Sequence, residues 1–365
     1  MVHELSRPDA RRIAVRAQLL DTPRPSSLLD TVRHLGFLQV DLTTYVAPSH
    51  DLVCWTRLGW SYSPADLDGL RVGGSLVEYC GLLRPAEDIR LFRAQMAEWP
   101  GRPPLREWQE DVSDWVRANE ECRLDILAAL RSEGPLPARE LRDTCAVPWR
   151  STGWTNDKNV LRMLGFLEQR GEVAVSSREN RERLWDLAER VHPDDTVVPA
   201  DEALEILCRR RLAALGIARQ RTTQTQVEPN DVGEAGEPAV VEGVRGKWRV
   251  DPEQLDRPFD GRVALLSPLD RLVFDRKRLA DLFESDYQLE MYKPVAKRRW
   301  GYWTLPILYG DNLVGKLDAE ADGDGGVLRV HAVHEDEPFT RSLRAEVEHE
   351  IRDLAKWLEL EVELE

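Results

Sequence analysis

The chain has 365 residues, of which 42% are hydrophobic and 32% charged, and it carries a formal net charge of −15. No apolar run approaches the roughly 20 residues that cross a bilayer, and residues 1–12 lack the apolar core of a signal peptide, so we expect a soluble, cytoplasmic protein. The five cysteines lie far apart without a CxxC pair, which argues against a disulfide framework and a zinc site.

The N-terminal residues predict two short helices and a strand. Ser6 is typical of an N-cap and Pro8 of a first helical turn. A second apolar stripe covers residues 28–35, and residues 37–42 alternate between apolar and polar side chains as a strand does. We assign residues 1–115 to a first winged-helix module, because helices followed by a strand begin such a unit.

A second winged-helix module is predicted over residues 116–195. Three helices and then a hairpin are the order of elements in this motif, and its third helix would be the recognition helix. The predicted elements are helices at 120–131, 136–141 and 156–170 and hairpin strands at 172–175 and 182–185.

The rest of the chain predicts a weaker third module and a β-rich end. Residues 196–260 form the third winged-helix module and residues 261–365 a barrel-like C-terminal domain with a closing helix, so the fold class is α+β. The predicted elements are a helix at 203–215, a loop or long wing tip at 228–246, strands at 247–250, 263–266, 303–308, 313–317 and 327–333, and a helix at 344–358.

Gln39 and Asp41 are the first candidates for chemistry. A period of two places their side chains, with Thr43, on one face of the predicted strand, opposite the apolar positions. That face would present an amide and a carboxylate side by side. An ordinary half-exposed strand shows the same alternation, so the pattern alone leaves both interpretations open.

Aromatic and basic residues follow closely behind Asp41. They suit an unstacked nucleotide, since aromatic rings stack on bases and arginine binds phosphate. In the alternative interpretation the tryptophan belongs to the core and the histidine caps a helix. The candidates for DNA binding in this stretch are Tyr45, Ser49, His50, Trp55 and Arg57.

Lys297, Arg298, Arg299 and Trp300 form a second basic and aromatic stretch. The net negative charge is unfavourable for binding DNA, but net charge does not describe its distribution, and acidic residues concentrate elsewhere, at 334–365 among other places. The stretch is therefore either a nucleic-acid surface or a salt-bridged pair of strands.

A metal site is possible at His331 and His334, but a solvated acidic loop fits their neighbourhood better. The sequence contains no GxGxxG motif and no P-loop. We accordingly predict neither a metal nor a cofactor.

Six blocks in order resemble one family, the crosslink-repair DNA glycosylases of the AlkZ/YcaQ type, and together they span nearly the whole chain. The blocks are Leu38–Asp41, Ser49–Gly59, Leu265–Val273, Leu289–Tyr292, Lys297–Tyr302 and Leu313–Asp318. Any one block is weak evidence, but six in the same order are specific.

The resemblance implies tandem winged helices, a β-rich C-terminal domain and the catalytic signature Gln39-Val40-Asp41, as in the YcaQ branch. It implies hydrolysis of the N-glycosidic bond of N7-alkylated purines, including crosslinks, in double-stranded DNA, without an obligate protein partner. Asp41 would stabilise the oxocarbenium-like sugar and Gln39 would position water. The alternative is a DNA-binding protein without catalysis, either a regulator or a degenerate paralogue.

Overall fold

The computed structural model describes residues 2–151, 153, 155–222 and 228–364, and it mixes helices and sheets along the chain. The helices are α1 (Arg7–Ala17), α2 (Leu28–Leu35), α3 (Ser49–Leu58), α4 (Pro64–Val72), α5 (Arg93–Ala97), α6 (Glu107–Ala118), α7 (Glu120–Glu133), α8 (Asn159–Gln169), α9 (Ala188–Val191), α10 (Ala200–Leu215), α11 (Arg276–Phe283) and α12 (Arg341–Trp357). The strands are β1 (His3–Leu5), β2 (Leu38–Gln39), β3 (Leu76–Tyr79), β4 (Leu82–Pro85), β5 (Leu136–Pro137), β6 (Val173–Glu179), β7 (Glu182–Leu187), β8 (Ile217–Arg219), β9 (Glu237–Val241), β10 (Val244–Val250), β11 (Val263–Leu265), β12 (Leu305–Tyr309), β13 (Asn312–Asp322), β14 (Val327–Glu335) and β15 (Glu361–Leu364).

The first two helices begin and end as their capping residues predict. The side chain of Ser6 accepts a hydrogen bond from the backbone N–H of Asp9 at the start of α1. Gly36 ends α2 in the left-handed conformation that glycine adopts without steric cost. The predicted strand at 37–42 is shorter than expected, because β2 covers only two residues.

The chain forms two compact units: unit 1 contains Met1–Asp66 and Cys208–Glu365, and unit 2 contains Leu67–Leu207. Unit 1 joins the two ends of the chain because α1 shares a core with the C-terminal part. Buried residues of α1, such as Ile13, lie in one cluster with Leu279 of α11. The four-module division drawn from the sequence stays a prediction.

Unit 1 contains two sheets. The first has the strand order β1-β9-β10-β8, in which β1 runs parallel to β9 and the other neighbours are antiparallel. Residues 228–246 were predicted as a loop or a long wing tip. Residues 228–236 lie outside helices and strands, whereas residues 237–246 contain β9 and the start of β10, which pair as an antiparallel hairpin. Buried and exposed side chains alternate along β9, in which Ala239 and Val241 are buried and the residue between them is exposed.

The second sheet of unit 1 has the order β11-β12-β13-β14-β15 and is antiparallel except for the β14–β15 pair. Among the described residues β11 and β15 are its edges, so the domain predicted as barrel-like contains an open sheet that resembles a half-barrel. Helix α12 contacts both edge strands, and its buried positions Leu343, Val347, Ile351 and Leu354 follow a helical period.

Unit 2 contains the antiparallel strand order β4-β3-β6-β7-β5 and a core built from α6, α7 and α8. The short helix predicted at 136–141 is instead β5 followed by one 3-10 turn. Pro137 has no backbone N–H to donate, and here it lies in an edge strand. Helix α8, the predicted recognition helix, buries Met163, Leu164 and Leu167.

Within the described ranges, no helix combines the length and apolar character that crossing a membrane would require.

Candidate functional site

Gln39 and Asp41 lie at the point where the chain leaves β2. Both side chains are partly exposed, whereas Leu38 beside them is buried. Asp41 Oδ1 accepts a hydrogen bond from the backbone N–H of Thr43, 2.8 Å away. This local bond is typical of a turn, and it lies just beyond the end of β2. It also orients the carboxylate while leaving it open to solvent on one side.

Tyr45 anchors the segment that follows Asp41 on the C-terminal sheet. Its carbonyl oxygen accepts a hydrogen bond from the N–H of Ala321 in β13, at 2.7 Å. Its ring centroid lies 5.0 Å from that of Tyr302, with the planes inclined by 58°. The structure therefore places the segment after the Gln39–Asp41 motif next to Tyr302, although more than 250 residues separate the two in the sequence.

The face of β13 below these rings is acidic. Burial raises the pKa of Tyr45 to about 12, and the negative charges of Glu320 and Asp318 act in the same direction. Tyr45 therefore stays protonated at neutral pH, and its hydroxyl donates a hydrogen bond to Glu320.

Asp318 is the least solvated carboxyl in this group. Burial raises its pKa, and nearby positive charge, including that of Arg298, offsets the effect only in part. Among the described residues, Asp318 Oδ1 has no hydrogen-bond partner. Gly301 packs against this carboxyl with a φ of +148°, and a Cβ there would lie 2.3 Å from it, so only glycine fits.

Asp318 and Glu320 were not among the predicted site residues. A signal was present in the sequence, since Lys316, Asp318 and Glu320 recur every second residue and so share one face of β13.

The basic stretch lies beside this acidic face. Arg298 donates from Nε to the carbonyl oxygen of Lys293 at 3.0 Å, and its guanidinium lies 4.9 Å from the ring centroid of Tyr302. Arg299 is exposed and pairs with Asp286 at 2.7 Å. Lys297 is exposed and makes no ion pair with any residue that the structure describes.

Glu290 holds this stretch in place. The backbone N–H groups of Arg299 and Trp300 donate to its Oε2 at 2.7 and 2.9 Å, and Lys293 Nζ donates to its Oε1 at 2.8 Å. Burial would raise the pKa of Glu290, but these hydrogen bonds outweigh it, and the pKa lies below the ordinary value. Trp300 itself is only 8% exposed and stacks near Tyr287, so most of its ring is packed against the protein.

Three of the predicted DNA-binding residues, all on α3, are buried in the structure. Ser49 is buried and its hydroxyl lies 2.7 Å from that of Ser267. Trp55 is buried and its ring stacks on Trp357. Arg57 is fully buried in an ion pair with Asp270. All three side chains therefore belong to the protein interior. For Trp55 this agrees with the alternative interpretation of the sequence, in which the tryptophan is a core residue.

His50 is largely buried at the start of α3, where its Nε2 lies 3.7 Å from the carboxylate of Asp51. It remains a candidate only at the margin of the site, because 12% of its side chain is exposed.

The two histidines of β14 make protein contacts. His334 Nε2 lies 2.7 Å from the carbonyl oxygen of Trp300, and His331 Nε2 lies 3.7 Å from Glu320. Among the described residues, the atoms close enough to hold a metal together belong to Cys122, Asp143 and Cys145 in unit 2.

Comparisons with known proteins agree with this architecture. The structure is similar to that of the Streptomyces sahachiroi DNA glycosylase AlkZ, with a TM-score of 0.64 and 16% sequence identity over 99% of this chain and 100% of the other. At that identity the likeness shows a shared fold. The family model described as DNA glycosylase AlkZ-like matches residues 32–357, which is most of the chain, and the protein therefore belongs to the AlkZ-like DNA glycosylase family.

Proposed function

We propose that the protein is a monofunctional DNA glycosylase that hydrolyses the N-glycosidic bond of N7-alkylated purines, including bulky adducts and interstrand crosslinks. The observation that carries the proposal is the placement of Asp41. Its carboxylate is oriented by the N–H of Thr43, remains partly exposed, and follows Gln39 at the end of β2.

The departure of the alkylated base needs little catalytic assistance from the enzyme. N7 alkylation leaves the purine positively charged, so the base departs without a strong general acid. The sugar acquires oxocarbenium character, which a nearby carboxylate stabilises and which attracts the incoming water. Asp41 takes this role and also orients or deprotonates the water, while the amide of Gln39 positions it.

The surroundings of Tyr45 suit a cationic lesion. The rings of Tyr45 and Tyr302 offer apolar faces, and the carboxyls of Asp318 and Glu320 supply negative charge behind them. Arg298 and Lys297 at the margin can bind the phosphates on either side of the damaged nucleotide. We further propose that the helix and hairpin elements of residues 1–115, 116–195 and 196–260 are winged-helix modules that bind the duplex.

The test is base release from duplex DNA carrying N7-methylguanine or an N7-linked nitrogen-mustard crosslink. Asp41→Asn should lower the single-turnover rate by at least about a hundredfold while DNA affinity is retained. The matched control is Asp30→Asn, because Asp30 is an exposed aspartate on α2 whose side chain is 72% accessible. Full activity in Asp41→Asn would refute the role of Asp41.

If the wild type binds DNA but releases neither N7-methylguanine nor the crosslinked base, the alternative of a DNA-binding protein without catalysis is favoured. A preference for one undamaged sequence in the same binding assay would then indicate a regulator, and a preference for alkylated DNA a degenerate paralogue.

A further inference from the structure

A second positively charged site lies in unit 1, away from the Gln39–Asp41 motif in the sequence. A cleft of about 670 Å³ forms where the end of β8, the start of β10 and the first turns of α11 meet. Its basic residues are Arg219, Arg221, Arg245, Lys247, Lys277 and Arg278. We call these residues and the space between them the β8–β10–α11 cleft.

The aspartates that line the cleft already have hydrogen-bond or ion-pair partners in the protein. Asp281 accepts from Arg219 at 2.6 Å and lies 3.2 Å from Lys277. Asp275 caps α11, with its Oδ1 accepting the backbone N–H of Arg278 at 3.0 Å. These pairs hold the cleft together and leave a surplus of positive charge, since six basic residues face three acidic ones, Glu234 included.

Three of the basic side chains are not committed to the protein. Arg221, Arg245 and Lys247 are exposed, and in the described ranges none of them makes an ion pair. Gly246 lies between the last two with a φ of +104°, and a Cβ there would lie 2.1 Å from Nη1 of Arg219. The glycine therefore lets the backbone of β10 approach Arg219 and places Arg245 and Lys247 beside it.

Arg278 gives the cleft a buried cation. It is 3% exposed, its Nε and Nη2 donate to the carbonyl oxygens of Ile217 and Leu215 at 3.2 and 2.8 Å, and its Nη1 has no hydrogen-bond partner among the described residues. The charge of this guanidinium lies buried in the wall of the cleft, where it adds to the positive potential that an anion in the cleft would experience.

The lining also indicates what kind of anion fits. Every lining residue is polar or charged except Gly246, so no apolar or aromatic side chain lines the cleft, and its carbon surface comes from the stems of polar side chains and the backbone. Small-molecule sites are lined mainly by hydrophobic and aromatic side chains, and bases stack on aromatic rings, so this lining suits a polar anion better than a nucleobase or an apolar ligand. Exposed arginine and lysine around a buried arginine suit phosphate oxygens.

We propose that the β8–β10–α11 cleft binds a phosphodiester group of the DNA backbone, as a contact separate from the catalytic motif. This inference rests on the proposed function for the identity of the polymer. It adds a second point of contact, which would fix the position of the duplex without reading its sequence.

The experiment compares two variants of equal charge in the full-length protein. Arg245→Glu combined with Lys247→Glu removes two uncommitted cations of the cleft. Arg341→Glu combined with Arg352→Glu is the control, because both lie on exposed positions of α12 and produce the same change in net charge. Binding to undamaged duplex DNA is measured by fluorescence anisotropy over a series of salt concentrations.

Loss of two phosphate contacts should lower affinity at least about tenfold and reduce the magnitude of the slope of log K against log salt by about 2 relative to the wild type. The control should retain most of the affinity and the wild-type slope. Equal loss in the two variants, or no binding by the wild type, would overturn the proposal. Inorganic phosphate that protects the wild type from thermal unfolding while the cleft variant binds DNA normally would also overturn it, in favour of a free anion.

Base release by the wild type separates this proposal from the proposed function. A protein that binds the duplex through the cleft but releases no alkylated base would contradict the glycosylase alone. A protein that releases the base while the cleft variant binds like the control would contradict the cleft alone.

Discussion

Arg57 and Asp270 face each other as a bidentate ion pair in which neither side chain is exposed. Both terminal nitrogens of Arg57 donate to the two carboxylate oxygens, with Nη2 2.9 Å from Oδ1, and Nε donates to the carbonyl oxygen of Gln18 at 3.1 Å. The pair joins α3, just after the candidate catalytic motif, to the segment following β11. The pair therefore ties the C-terminal end of α3 to the segment that follows β11.

Breaking this pair from one side should destabilise the protein strongly. Arg57→Ala leaves the carboxylate of Asp270 buried without its partner, which costs about 3–5 kcal/mol of unfolding free energy. Urea unfolding monitored by tryptophan fluorescence measures it. The control Arg352→Ala breaks an exposed pair with Glu348 and should cost less than about 1 kcal/mol. Similar costs for the two variants would show that the buried pair contributes no more than a surface one.

The ring of Tyr45 should matter more than its hydroxyl. Tyr45→Ala removes the face that we propose contacts the lesion and should lower kcat/KM for a bulky N7 adduct about tenfold, the effect of losing one stacking contact. Tyr45→Phe keeps the ring beside Tyr302 and should retain most of the activity. Steady-state base release by both variants measures this, and an inactive Tyr45→Phe with an active Tyr45→Ala would contradict it.

Asp318 should contribute to binding the cationic lesion. Asp318→Asn removes negative charge near Tyr45 and should raise KM for N7-methylguanine DNA several-fold with little change in kcat, since the residue is not expected to touch the sugar. Burial raises the pKa of Asp318, so the wild type should lose the same contribution as pH falls through that raised pKa. A KM that is independent of both pH and substitution would rule this role out.

Glu168 in unit 2 should make stability depend on pH. Burial raises its pKa to about 7, although the N–H of Cys80 donates to it. Because the pKa is higher in the folded state than in the unfolded chain, the folded protein prefers the protonated form, and stability is lost as pH rises from about 4 through 7. Glu168→Gln should therefore be more stable than the wild type at pH 8, by on the order of 3 kcal/mol, and nearly equal to it at pH 4.

The matched variant for this prediction is Glu78→Gln. Burial acts to raise the pKa of Glu78 as well, but hydrogen bonding and charge from Arg178 and Arg183 lower it below the ordinary value. Its ion pairs stabilise the protein above the unfolded pKa, so this variant should lose stability at pH 8. Urea unfolding at pH 4 and pH 8 measures the change in unfolding free energy for each variant. If both variants were stabilised, or both destabilised, at pH 8, the prediction would be contradicted.

Local sequence patterns predicted about half of the helices and strands, those whose causes are local. Ser6 and Gly36 mark helix ends through their own side chain and backbone, and α12 follows from the spacing of Val347 and Ile351. The pattern failed where a side chain or a proline altered the backbone. Asp41 accepts the N–H of Thr43 in a turn where the strand was expected to continue, and Pro137 lies in an edge strand where a helix was predicted.

The sequence by itself determined the α+β class, the family to which the six motifs point, and the two residues, Gln39 and Asp41, proposed for catalysis. Only the tertiary structure decided that Arg57 is buried against Asp270 and that Tyr45 reaches Tyr302. An arginine has the same charge in the sequence whether it meets phosphate or a buried carboxylate, and its partner here lies 213 positions away. Contacts of that range depend on how whole elements pack, which no local periodicity records.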